Sequence, residues 1–447
     1  MAGPLADRMR VGGATEGCGP LIPPLSETTR PLRQQIFDRV RAAGQIARVQ
    51  LAKELSISPA SVTTLTSELI ERGFLEEVQA PREADTGRGR PAVALRVRAA
   101  AHYVAGIKLS DREHTAVVVD FAGNLIAGEA VARQPGAMQL AEIVTATEIL
   151  LDQVCLKAGL PRDMLSAVGL GVPGFVDCPA GVVHWSPVLT DRHVPLAAAA
   201  TRRLGLPVHI DNDANLVTLA ELWFGAGRRL SDFAVVTIEH GVGMGFVINH
   251  RIFRGSQGMG MELGHTKVQL DGALCRCGQR GCLEAYVADY ALVREAQTAL
   301  NLTHRESQSV GALLESLFDH AKAGNAAARV IFHRAGRYLA LGLSNVVNLF
   351  DPELIILSGE RMRYDYLYAK ETLAEMQAMM LNTGRQAPRI ETHAWGVPSL
   401  GARGGSAGAA RGFGWVAFAR PARWRRNEVA GGTVSGVSCR CRAAFYQ

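Results

Sequence analysis

The 447-residue sequence predicts an α/β protein of two lobes, preceded by a small helical head that ends in a hairpin. Three observations predict this. Strand-like runs followed by alternating helices occur twice between residues 99 and 396. Residues 30–98 hold three amphipathic helical segments and two short apolar runs. His265, Cys275, Cys277 and Cys282 stand at the spacing H-x9-C-x-C-x4-C inside one glycine-broken stretch. With 48% hydrophobic residues, the chain has material for two or three cores.

Residues 1–29 are broken by Pro and Gly, and we expect a disordered arm with no apolar segment of a secretory signal. Helices are predicted over 32–43 and 49–55. Ser58 then suits a helix cap, with Pro59 at the first helical position. The third helix runs to about Arg72 and places Val62, Leu65 and Leu69 on one buried face. Strand-like segments at 74–78 and 92–97 flank a polar tip at 86–91. Three helices and a basic hairpin make a winged helix-turn-helix over residues 30–98. Its third helix would enter the major groove of operator DNA with Ser58, Ser61, Thr63 and Thr64. Arg88 and Arg90, between glycines, would reach phosphates or a narrow minor groove. Residues 1–98 carry a net charge of only +3, and the third helix has no Lys or Arg before Arg72. A small helical domain for protein contacts is therefore the competing reading.

The first lobe, residues 99–212, has strand-like segments at 103–109, 115–120, 125–131, 167–171 and 208–210, with a helix over 140–157. The second, residues 213–396, has strands at 233–239 and 243–248. Helices near 283–300, 310–322 and 326–350 and a strand at 354–357 follow. Such doubling suits the actin/hexokinase-like (ribonuclease H-like) fold, whose cleft lets a ligand bias lobe closure. We expect the hinge near 211–215.

Three thiolates and an imidazole are the donor set of a closed, tetrahedral structural zinc site, which leaves no open position for catalysis. Gly272, Gly278 and Gly281 allow the tight folding such a site needs. The alternative is three ordinary core or redox cysteines near a chance histidine. Cys18, Cys155, Cys178, Cys439 and Cys441 show no disulfide framework, which fits a reducing cytoplasm. No apolar run has the length needed to span a bilayer, so no membrane partner is expected.

The runs GVPGFVD, DNDAN, ELGH and CRCGQRGCLEAY resemble the ROK family of sugar kinases and sugar-responsive repressors, over roughly residues 30–396. The likeness is to its transcriptional branch, that of the xylose and N-acetylglucosamine repressors. It implies that Gly174, Asn212, Asp213, Glu262, His265 and Glu284 line a monosaccharide pocket, with His265 serving both metal and sugar. Carboxylates and amides suit that task, since each sugar hydroxyl needs a partner. The competing reading has Asp211 and Asp213 merely capping the next helix. The kinases of the family carry Asp-x-Gly-Gly-Thr after the opening strand. Here Lys108 is followed by Leu109-Ser110-Asp111-Arg112. The second phosphate loop survives in part as Gly241-Val242-Gly243-Met244-Gly245, with His240 where kinases commonly have threonine or glycine. The phosphate grip is thus expected to be lost, and the glycines to form a tight turn.

The expected function is a sugar-responsive DNA-binding regulator, a repressor rather than an activator, with a monosaccharide effector. The resemblance implies a homodimer or homotetramer. One alternative is an ATP-dependent sugar kinase with an appended DNA-binding domain and Asp213 as general base. Another is a regulator that answers to a protein partner, with sugar a minor effector. Residues 397–447 form an atypical basic Gly/Ala/Arg-rich tail of net charge +7, against about −4 for the middle of the chain. The high pI therefore belongs mostly to the tail, which is either an untidy terminus or a source of non-specific DNA affinity.

Overall fold

The computed structural model describes residues 17–21, 30–79, 93–300, 310–359, 370–381, 384 and 386–393. The hairpin tip with Arg88 and Arg90, and the tail 397–447, lie outside them.

The head begins with α1 (Leu32–Ala43), whose Ile36, Phe37 and Val40 share one buried stripe. Gly44, at φ 75°, stops it. A short strand β1 (Gln45–Ala47), which the sequence reading missed, leads into α2 (Arg48–Leu55). Helix α3 (Pro59–Glu71) is capped as expected: the Ser58 hydroxyl accepts from Ser61 N at 3.0 Å. Val62 and Leu69 are fully buried, whereas Leu65 is only partly so. Strands β2 (Leu75–Gln79) and β3 (Val93–Val97) pair antiparallel, and β1 adds to β3 to give the order β1-β3-β2.

The first lobe holds β4 (Tyr103–Lys108), β5 (Glu113–Asp120), β6 (Leu125–Ala132), α4 (Leu140–Ala158) and β7 (Leu165–Val172). A small hairpin follows, β8 (Phe175–Asp177) and β9 (Val182–Trp185), then α5 (Leu196–Leu204) and β10 (Val208–Asn212). The sheet order is β10-β7-β4-β5-β6, with β4, β7 and β10 parallel and β5 antiparallel to its neighbours. Helix α6 (Asp213–Phe224) carries the chain across. The second lobe has β11 (Phe233–Ile238), β12 (Val242–Ile248), β13 (Arg251–Phe253), α7 (Glu284–Val287), α8 (Asp289–Ala299) and α9 (Val310–Lys322). It ends with α10 (Ala326–Phe350), β14 (Leu354–Ser358), α11 (Lys370–Met379) and β15 (Arg389–His393). Its sheet reads β13-β12-β11-β14-β15, the first sheet's order repeated with the same strand directions. Central strands buried on both faces explain the Val/Ile runs, such as Val235-Val236 and Ile355-Ile356.

Two expectations are corrected. The helix predicted over 283–300 is broken at Ala288, whose ψ of 159° is extended. The break lets Asp289 N donate to Glu239 O and brings its buried carboxylate to His240. The arm, expected to be disordered throughout, is packed at residues 17–21. Cys18 is buried among Leu219, Leu222 and Trp223 of α6, and its N–H donates to Arg41 O. Among the described residues, no helix is long and apolar enough to cross a membrane.

Candidate functional site

Between β13 and α7 the chain has little regular structure beyond a single turn at Leu263–His265. What folds it is local. Gly278 and Gly281 adopt φ 90° and 75°, and a Cβ on Gly272 would lie 1.9 Å from the Tyr286 hydroxyl oxygen. The three glycines singled out from sequence are each needed where they stand.

This folding brings His265, Cys275, Cys277 and Cys282 together, with their ligand atoms all within 4.8 Å of one another. Cys275 Sγ is 3.7 Å from His265 Nδ1, and Cys277 Sγ is 3.8 Å from Cys282 Sγ. A tetrahedral ion with metal–sulfur bonds of about 2.3 Å needs its sulfurs about 3.8 Å apart, so the donors fit a metal of that geometry. Burial pushes the Cys282 thiol up to about 11, with Lys267 opposing and the neighbouring thiols adding. A cation among them reverses that logic by favouring thiolates. Lys267 Nζ lies 2.9 Å from Cys282 Sγ. Tyr290 Oη is 3.6 Å from Cys275 Sγ and 3.4 Å from Glu284 Oε1, so one phenol touches both the thiol cluster and a predicted sugar carboxylate.

Gly174 turns the chain from β7 into β8 at φ 114°, where a Cβ would sit 2.2 Å from Trp185 O. Its carbonyl accepts from Asn212 Nδ2 at 2.7 Å. Asn212 Oδ1 in turn accepts from Ala214 N at 2.8 Å, so Asn212 is the N-cap of α6. The capping role considered for Asp211 and Asp213 thus falls mainly to their neighbour. Asp213 opens the helix. Burial raises its carboxyl pKa, Lys108 lowers it and Glu239 raises it again. Burial also pushes Glu262 up to about 7, with His265 opposing and Asp213 and Glu284 adding. His265, Asp213 and Glu284 are therefore each within electrostatic reach of Glu262. The Phe175 ring stands edge-on to His265, with centroids 5.6 Å apart.

Sequence reasoning missed Arg254. Its Nε and Nη2 both donate to buried Asp211 Oδ2, at 2.9 and 2.7 Å, while Asn215 Nδ2 donates to Asp211 Oδ1. This pair ties the end of β10 to the segment that carries Glu262. Removing either partner leaves an uncompensated charge, a loss of about 3–5 kcal/mol. No local pattern signals a pair 43 residues apart.

The second glycine run has a packing explanation. Glu239 N donates to Gly241 O in the turn before β12. A Cβ on Gly243 would lie 2.9 Å from Ala214 Cβ, and one on Gly245 would lie 2.1 Å from Thr218 Oγ1. These glycines let β12 lie close against α6. His240, at the same turn, has Nδ1 3.0 Å from Asp289 Oδ2 and Nε2 3.6 Å from Asp111 Oδ1. An imidazole thus bridges carboxylates of both lobes. Its bond to Asp289 holds the His240 pKa above the ordinary value against the effect of burial, and Asp111 and Glu239 add to the rise.

The protonated imidazole is the form that pairs with both carboxylates. Its stabilisation is complete below the unfolded value of about 6.5 and is lost as pH rises through the elevated folded value. His240→Asn should therefore melt well below the parent at pH 6, with the gap closing at pH 9. An equal gap at both pH values in thermal unfolding would contradict the bridge.

Residues 104–412 match the ROK family. The chain is 30% identical over 352 residues to the DNA-binding transcriptional dual regulator NagC of Escherichia coli (strain K12), covering 77% of this chain and 84% of that protein. It is 29% identical over 335 residues to a putative xylose repressor of Caldicellulosiruptor sp. (strain Rt8B.4), covering 73% and 82%. A solved ROK family transcriptional regulator, described as a homologue of the E. coli MLC protein, superposes with a TM-score of 0.69 at 23% identity. That superposition covers 86% of this chain and 94% of the other, and shows the shared fold. The chain belongs to the ROK family.

Proposed function

We propose that the chain is a sugar-responsive DNA-binding repressor of carbohydrate genes, with the effector bound between the lobes. One observation carries this reading. Asp213 and Glu284 both bear on Glu262, which stands near His265, and Asn212 ties Gly174 to the start of α6, while charged side chains stand where the family's kinases would hold phosphates. Carboxylates and an amide in a cleft suit a ring of hydroxyls, and a site of this kind rejects analogues that leave its own groups unpaired. Lys108, at the end of β4, acts on Asp213, and Asp111 and His240 pair across the turns that follow β4 and β11. Relatives named as repressors support the same choice.

The head supports the DNA-binding part. Its three helices and three-stranded sheet suit a winged helix-turn-helix, with α3 as the groove-entering helix. Ser58, Thr63 and Thr64 are exposed at its start. Arg33, Arg39, Arg48 and Arg96 pair with Glu68, Glu54, Glu77 and Glu76 within the head. Phosphate attraction then falls to exposed cations such as Lys53 and Arg72, to Arg88 and Arg90, and to doubling of the head in a dimer or tetramer. The metal we assign is zinc, held by His265, Cys275, Cys277 and Cys282 in a closed structural site. Its chemistry when bound is to fix the loop that carries Glu262 and His265.

The kinase reading keeps one point in its favour, the presence of Asp213 at the general-base position. Purified protein should bind a DNA duplex selected from random sequence. One of xylose, glucose or N-acetylglucosamine should change that affinity by about tenfold or more. Sugar-dependent ADP release that vanishes in Asp213→Asn would overturn the repressor in favour of the kinase. For the metal, Cys277→Ser should lose zinc by atomic absorption and weaken the sugar response while the fold persists. Equal zinc in variant and parent would contradict the ligand assignment.

A further inference from the structure

Residues 17–21 lie where the head and both lobes meet. From the head, Arg41 O accepts from Cys18 N at 3.0 Å, and Arg39 Nη1 donates to Leu21 O at 3.1 Å. From the end of α6, Trp223 O accepts from Gly19 N at 2.8 Å. Just beyond, Arg228 O accepts from Leu21 N at 2.8 Å. From the first lobe, Ala122 O accepts from Cys18 Sγ at 3.3 Å, and a Cβ on Gly123 would touch that sulfur at 3.2 Å. Arg228 closes the joint: Nε donates to Gly19 O at 3.0 Å and Nη2 donates to Ala42 O at 2.7 Å. The Arg41 guanidinium lies 4.3 Å from the Trp223 ring centroid.

These contacts satisfy the last carbonyls of α1, which a helix end otherwise leaves without partners. They also define a second anchor for the head. Its first anchor is aromatic: Phe121 of the first lobe lies 5.2 Å from Phe37 and 6.0 Å from Phe74 by ring centroids. A body held by the first lobe at Phe121 and Ala122 and by the far end of α6 must turn when the two move relative to one another. The second pin sits at the far end of α6, whose near end carries Asn212 and Asp213. A 12-residue helix spans about 18 Å and moves as a rod.

We propose that residues 17–21 are the joint through which lobe closure reorients the head, and that Arg228 is its positioning residue. The proposal rests on the sugar-repressor reading above. Arg228 takes no part in the sugar pocket or in the DNA contacts assigned to α3 and the wing. Its role is to make one movement follow from another, so its loss should separate two functions that each survive.

The test uses the full chain in two variants. Arg228→Ala removes the clamp. Gly17→Val displaces the joint from the head side, because a Cβ there would come within 2.1 Å of Arg41 O. Sugar affinity is measured by calorimetry, and affinity for the selected duplex by fluorescence anisotropy with and without the effective sugar. In both variants sugar affinity and sugar-free DNA affinity should stay within about threefold of the parent. The sugar-induced change in DNA affinity should fall from about tenfold to about twofold or less. Should Arg228→Ala unfold, Gly17→Val alone decides. A full sugar response in a folded variant overturns the joint, and so does a loss of response that comes from weakened sugar binding. A parent that binds DNA with no sugar response at all sinks the repressor reading itself, a distinct outcome.

Discussion

The structure depends on how one helix is held at its two ends. At its start, Asn212 accepts from Ala214 N and donates to Gly174 O, which fixes α6 to the turn after β7. At its end, Trp223 packs on Cys18, accepts from Gly19 and lies under Arg41. Between them, Leu216, Leu219 and Leu222 bury against Phe233, Val235 and Ile356 of the second sheet. Phe224 reaches Val104, Val119 and Ala167 of the first. The glycines of β12 exist to let this helix lie close. A single rigid element therefore touches both sheets, the candidate sugar groups and the head.

Charge placement around the cleft follows from the cost of burying ions. Asp211 is buried completely and is matched by Arg254 and Asn215, so it is a fixed strut and not a ligand group. Among the described residues no ion pair matches Asp213, Glu262 or Glu284, although Lys108 acts on Asp213 and His265 on Glu262. Burial raises Glu262, with Asp213 and Glu284 adding, and a carboxyl so placed gains from neutral hydroxyl partners. The thiol cluster sits directly behind, joined to Glu284 through Tyr290. Loss of a metal held there would therefore be felt first at the carboxylates.

Much of this was legible in the sequence because the signals are local. Ligand spacing and three glycines announced the loop that gathers His265 with the three cysteines, and Ser58-Pro59 announced the start of α3. The two strand-and-helix series announced a duplicated fold, and the structure supplies the shared sheet order. What stayed hidden was either short or distant. Strand β1 has three residues and β8 has three, too few to show a period. The break at Ala288 is imposed by a bond from Asp289 to Glu239, which no helix propensity reports. Asp211 and Arg254 meet only because the fold brings them together. Residues 17–21 looked structureless because their hydrogen-bond partners lie on α1, on α6 and beyond it.

The central claim is that occupancy at one end of α6 is felt at the other. Amide hydrogen exchange of the full chain, with and without the effective sugar, reads both ends at once. The account predicts altered exchange at Ala214 together with Cys18, Gly19 and Leu21, whose N–H groups are held by Arg41, Trp223 and Arg228. Change confined to the cleft, with those three amides indifferent to the sugar, would contradict it.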